Sequence, residues 1–230
     1  MGAVDVPRAG RVRGVIFDLD GTLVDGYDGI AIAVNAARAH FGMSPLTTDD
    51  IKGRVGLGLE HLMSDVVGGA RAPEGATIFR NVYDTVCVDH TRAAPGLGET
   101  LATLRKRGFR MSLASNKPAL YSIRILERLA VLPYFDLVAG PETAGAIKPH
   151  PAMVRACLEA MKVDASQAIY VGDMTLDAET ARRAGVRVVL VAGGSSPLDD
   201  LTRTGHPVIA TLPDLIEHLP SQAAIRENVP

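Results

Sequence analysis

From about residue 96 onward, short apolar runs alternate with segments whose apolar residues recur every three or four positions. Residues 109–114, 135–139, 168–172, 186–192 and 208–210 have strand length and apolar content, and residues 12–18 belong with them. Helical crossovers between such strands predict an α/β fold: one open, doubly wound, mainly parallel sheet with helices on both faces, a Rossmann-like core. Between Asp25 and Ala94 the pattern is helical only. Ile30, Val34, Ala37 and Phe41 share one face, as do Leu59, Leu62, Met63, Val66 and Val67, and then Phe79, Val82, Tyr83, Val86 and Cys87. This predicts a small helical domain over 26–93, inserted into a discontinuous core formed by 1–25 and 94–230. Residues 44–50 supply a turn and helix start between its first helices. Gly26 and the Pro95-Gly96 pair break regular structure at the two junctions, placing hinges near 25–28 and 93–96.

The chain of 230 residues is long enough for a sizeable core. Apolar residues make up 47% and charged residues 22%, the balance of a globular enzyme rather than a disordered chain. A net charge of -2, no Trp and 4% aromatic residues provide neither the basic surface nor the stacking platforms of a nucleic-acid binder. No run approaches the roughly 18 apolar residues of a membrane span, and residues 1–10 lack a signal-peptide core. Cys87 and Cys157 fall on apolar helical stripes, which suits buried thiols in a reducing compartment better than a disulfide. A soluble cytoplasmic protein, monomer or homodimer, is expected, with tails over 1–10 and from about 221.

The chemistry is concentrated where the first strand ends, in Phe17-Asp18-Leu19-Asp20-Gly21-Thr22-Leu23. Asp18 and Asp20 would share a side if the strand continued, but Gly21 lets the chain turn sharply just after them. Both carboxylates then sit at the carboxyl end of a buried strand, where open α/β sheets bind ligands. Two anions packed there favour a bound cation or a shared proton. Taken alone, Asp-Gly is also ordinary turn chemistry.

Three later segments end strands or open helices with polar groups: Leu113-Ala114-Ser115-Asn116-Lys117, Lys148-Pro149-His150-Pro151, and Val171-Gly172-Asp173-Met174-Thr175-Leu176-Asp177. In this order the four motifs resemble those of the haloacid dehalogenase superfamily, in its phosphatase branch, over roughly residues 12–219. The resemblance implies that Asp18 is the nucleophile and forms an aspartyl phosphate, while Asp20 protonates the leaving alcohol and then activates water. It implies that Ser115, the Asn116 amide, Lys148, Gly21 and Thr22 bind the phosphate. It further implies that Mg2+ is held by the Asp18 carboxylate, the Asp20 carbonyl and the Asp173 carboxylate. Asp177 would orient Lys148 or a water on the metal.

The segment from Arg54 to Met63 resembles the cap loop of phosphoglycolate phosphatases, and Lys52, Arg54 and His61 are candidates to face a substrate carboxylate. Val24-Asp25-Gly26 and Met174 depart from the usual pattern. His150 reads as a loop residue beside the site. Gly56-Leu57-Gly58 is a turn opening a helix, without the spacing of a dinucleotide fingerprint. The leading expectation is a magnesium-dependent phosphatase acting on a small phosphorylated metabolite such as 2-phosphoglycolate. A phosphosugar mutase of the β-phosphoglucomutase type and a catalytically inactive binding module are the alternatives.

Overall fold

A computed structural model describes residues 12–219, and the expected terminal tails lie outside them. The chain runs β1 (Gly14–Phe17), β2 (Val24–Asp25), α1 (Tyr27–His40), α2 (Thr48–Lys52), α3 (Leu59–Val67), α4 (Ala72–Val86) and β3 (Arg92–Ala93). It continues with α5 (Leu97–Lys106), β4 (Arg110–Ala114), α6 (Ala119–Arg128), β5 (Val138–Ala139), α7 (Pro141–Ala144) and α8 (Ala152–Met161). The last elements are β6 (Ala168–Gly172), α9 (Thr175–Ala184), β7 (Arg187–Val191), α10 (Leu198–Arg203) and β8 (Val208–Ile209).

The main sheet has the order β5-β4-β1-β6-β7-β8, with every neighbouring pair parallel. Strand alternation divides its side chains between two cores. Val15, Phe17, Leu113, Val171 and Val189 pack toward Leu101 and Leu104 of α5 and Ile125 of α6. Ile16, Ala114, Tyr170, Val188 and Leu190 pack toward Met153 and Cys157 of α8 and Ala181 of α9. Both faces are covered, which is why β1 reads as a continuous apolar run. The central strand β1 has β4 on one side and β6 on the other. Its carboxyl end is therefore the point where the strand order reverses and a crevice opens.

Helices α1 to α4 form a third core, around Val34, Met63, Phe79 and Tyr83. The turn expected before α2 is present: Thr47 accepts the Asp50 N–H at 3.1 Å, and Asp50 accepts the Thr47 N–H at 3.2 Å, a reciprocal cap. One expectation needs correction. The segment from Asp25 to Ala94 is not purely helical, because β2 and β3 form a two-residue antiparallel ladder at the junction. Two-residue strands carry no readable period, so patterning cannot reveal them. Cys87 and Cys157 are both free and buried. Among the described residues, no helix is long and apolar enough to cross a membrane.

Candidate active site

Strand β1 stops at Phe17, yet the Asp18 N–H still donates to the Val171 carbonyl at 2.9 Å, so Asp18 stays anchored to β6. The chain then turns. Leu19 carbonyl accepts the Leu23 N–H at 2.9 Å, and Gly21 adopts φ 79°. Only glycine fits there: a Cβ would lie 2.3 Å from Asp173 Oδ2. The turn thus packs the first aspartate loop onto the loop after β6.

Asp18, Asp20, Ser115, Asn116 and Lys148 converge on one cavity of about 100 Å³ between the sheet end and the helical insert. Lys148 Nζ lies 2.8 Å from Asp18 Oδ2 and 2.7 Å from Asp177 Oδ1, with its side chain 2% exposed. Burial pulls the Lys148 pKa down, but Asp177 and Asp18 outweigh this and the net shift is upward, so it is a cation. Asn116 braces its backbone, accepting the Lys148 N–H on Oδ1 at 2.7 Å. Asp18 Oδ1 and Asp20 Oδ1 are buried without a hydrogen-bond partner.

Carboxylate oxygens of Asp18, Asp173 and Asp177 lie within 4.8 Å of one another, all buried. The Asp173 carboxyl is pushed up to about 8, first by burial and then by the charges of Asp177 and Asp18. A buried acidic triad with an orphaned oxygen is a donor set suited to a hard cation, which would relieve both the repulsion and the missing partner. Asp173 is held in place by the Thr22 hydroxyl at 3.0 Å and the Ser195 N–H at 2.6 Å.

Other candidates lie elsewhere. The Gly21 N–H donates to the Val24 carbonyl at 2.8 Å and the Thr22 N–H to Leu19 at 3.2 Å, so neither amide points into the cavity. Lys52 donates to the Gly193 carbonyl at 2.6 Å, clamping the loop that holds Asp173. Arg54 pairs with Asp65, and both Arg54 and His61 line a separate, open recess. His150 is exposed and accepts the Ala152 N–H at 3.3 Å. Met174 packs against Gly56, where a Cβ would lie 2.4 Å from its sulfur.

Lys117 was not singled out from the sequence beyond its place in the second motif. Its ammonium lies 3.0 Å from Asp20 Oδ2 and also donates to the Tyr83 hydroxyl on α4. Burial raises the Asp20 pKa, opposed by Lys117. A lysine in a strand-end loop ordinarily reads as solvated, and only its position after Ser115-Asn116 hinted otherwise.

The model of the haloacid dehalogenase-like hydrolases matches residues 15–191. A phosphoglycolate phosphatase of Cereibacter sphaeroides is 36% identical over 219 residues, covering 90% of this chain and 98% of the relative. One from Aquifex aeolicus is 33% identical over 195 residues, covering 83% and 92%. Among solved structures, a haloacid dehalogenase-like family hydrolase of Streptococcus pneumoniae superposes with a TM-score of 0.83 at 22% identity, covering 90% of this chain and 98% of the other. CbbY of Rhodobacter sphaeroides, crystallised with phosphate, superposes with a TM-score of 0.77 at 16% identity, covering 90% and 99%. On the four ordered motifs, the parallel sheet that gathers them and the family match across most of its length, the chain belongs to the haloacid dehalogenase-like hydrolases, with phosphoglycolate phosphatases among its relatives.

Proposed function

We propose that this chain is a magnesium-dependent phosphatase for a small phosphate monoester, with 2-phosphoglycolate as its substrate, working through an aspartyl phosphate. The observation that carries the reading is the buried Asp18–Lys148 contact of 2.8 Å beside an Asp18 Oδ1 that has no partner. A carboxylate anchored by one oxygen to a fixed cation, with the other unoccupied, is oriented for attack on phosphorus. The likeness to phosphoglycolate phosphatases supports the substrate.

In this reading Asp18 bonds to phosphorus as the ester P–O bond breaks, and the departing oxygen takes a proton from Asp20. Water then attacks the phosphorus, passes a proton to Asp20, and releases phosphate with Asp18 restored. Ser115, the Asn116 amide and Lys148 bind the non-bridging oxygens, and Lys148 neutralises the charge they carry throughout. Asp18, Asp173 and the Asp20 carbonyl would hold Mg2+, which when bound supplies further neutralisation of phosphate charge. Asp177 keeps Lys148 in place. Residues 26–93 act as a cap that closes the site from water, and residues 1–25 with 94–230 form the catalytic body. Buried thiols without a disulfide suit a cytoplasmic setting.

The test is magnesium-dependent phosphate release from a panel of small phosphomonoesters that includes 2-phosphoglycolate, with Asp18→Asn protein as the blank. A clear preference for 2-phosphoglycolate is the expected result. Broad release would remove the substrate assignment, and activity only with a bisphosphate activator would replace hydrolysis by the mutase reading.

A further inference from the structure

Of the two buried lysines that line the cavity, the chemistry above employs Lys148 and leaves Lys117 without a task. Burying an ammonium is costly unless its donors are used, and here they are. The Lys117 side chain is 7% exposed; its ammonium lies 3.0 Å from Asp20 Oδ2, donates to the Tyr83 hydroxyl, and stands 4.6 Å above the Tyr83 ring. Lys117 belongs to the loop after β4, whereas Tyr83 belongs to α4 of the helical insert. The lysine therefore links the catalytic body to the cap.

Tyr83 is rigidly seated. Its ring stacks on Phe79 at 5.1 Å and meets Tyr121 of α6 edge-on at 5.1 Å. The other Asp20 oxygen is also fixed from the cap side: Oδ1 is turned toward Gly26, immediately before α1, where a Cβ would lie only 2.6 Å away. Both oxygens of one carboxyl group are thus constrained by elements that move with the cap. Oδ1 is packed against the hinge glycine, and Oδ2 is held beside the cavity by Lys117.

We infer that Lys117 is a positioning residue: braced by Tyr83, it orients the Asp20 carboxyl toward the departing ester oxygen, so that proton transfer to the leaving group requires a seated cap. The inference rests on the phosphatase reading, and specifically on Asp20 as the group that serves the leaving alcohol. It explains why a second buried lysine stands opposite Lys148. One cation holds the nucleophile and the other holds the acid, which keeps the two aspartates apart.

The experiment compares two esters. p-Nitrophenyl phosphate departs without needing a proton, whereas 2-phosphoglycolate releases an alkoxide that does; glycerol 3-phosphate replaces it if wild type does not turn it over. For Lys117→Met, kcat on the alkyl ester should fall on the order of 100-fold, the scale of acid–base assistance, with KM little changed. On p-nitrophenyl phosphate the fall should be only a few-fold. Lys117→Arg should restore part of the difference, and Tyr83→Phe should reproduce it more weakly. Equal losses on both esters, or a loss confined to KM, in protein with a native circular dichroism spectrum would overturn the inference. If Lys117→Met does not fold, Tyr83→Phe decides by the same comparison. Wild type that releases phosphate from none of the three esters would instead overturn the phosphatase reading, and this inference with it.

Discussion

Asn116 of the catalytic body donates from Nδ2 to the Gly56 carbonyl of the cap at 2.7 Å, while its Oδ1 accepts the Lys148 N–H at the same distance. One amide side chain thus ties the cap loop to the backbone that presents the phosphate-binding lysine.

Asn116→Ala should accordingly lower kcat/KM about 10-fold or more and cost roughly 1–3 kcal/mol of stability, since it leaves a buried N–H without an acceptor. Steady-state kinetics together with a thermal melt check both effects. A drop in melting temperature without any change in kcat/KM would show that the tie matters only for folding.

Asp18→Asn should abolish turnover, because an amide cannot serve as the nucleophile. Near-normal phosphate release by purified Asp18→Asn protein would remove the covalent mechanism.

Lys148→Ala should depress kcat by at least about 100-fold if charge neutralisation dominates the barrier. It should also destabilise the fold, by about 3–5 kcal/mol, because Asp18 and Asp177 would then be buried without their cation. Adding Mg2+ should recover part of the stability but not the rate, a split that separate melting and kinetic measurements resolve.

The Asp173 carboxyl, pushed up to about 8 by burial and its acidic neighbours, gives a pH signature to the metal-free protein. Between the ordinary carboxyl range and pH 8 the folded site keeps a proton that the unfolded chain has lost. This contribution is therefore complete at low pH and disappears as the pH rises through about 8. Mg2+ favours the ionised carboxylate, so the rise in melting temperature that it produces should be larger at pH 8 than at pH 6. An increment independent of pH would remove Asp173 from the metal site.

Tyr170→Phe deletes a buried hydroxyl that donates to the Ala114 carbonyl at 2.7 Å and accepts from Lys148 at 3.4 Å. Denaturant unfolding should report a loss of about 1–3 kcal/mol, with a smaller effect on kcat because Asp18 and Asp177 still hold the lysine.

Much of this arrangement can be read from residue order alone. The alternation of Val15, Ile16 and Phe17 between two cores follows from strand geometry, and Gly21 after Asp20 marks a turn by its freedom at positive φ. Contacts between elements distant in sequence were not legible. Lys52 is drawn to the Gly193 carbonyl and Arg54 to Asp65, away from the cavity, because long flexible cations settle on whichever acceptor the packing brings near. Lys117 shows the converse. Nothing local distinguishes it from a solvated lysine, and its burial depends on Asp20 and Tyr83, which come from two other parts of the chain.

The two-residue ladder at the junction has a consequence for how such a molecule is assembled and altered. Val24 pairs with Ala93 and Asp25 with Arg92, so the outgoing and returning strands of the insert are already side by side. The insert is in effect a cassette plugged into a fixed socket. Because its ends meet at one place, it can be lengthened, shortened or exchanged without changing the register of any strand in the main sheet, and selectivity can diversify over an unaltered reaction centre.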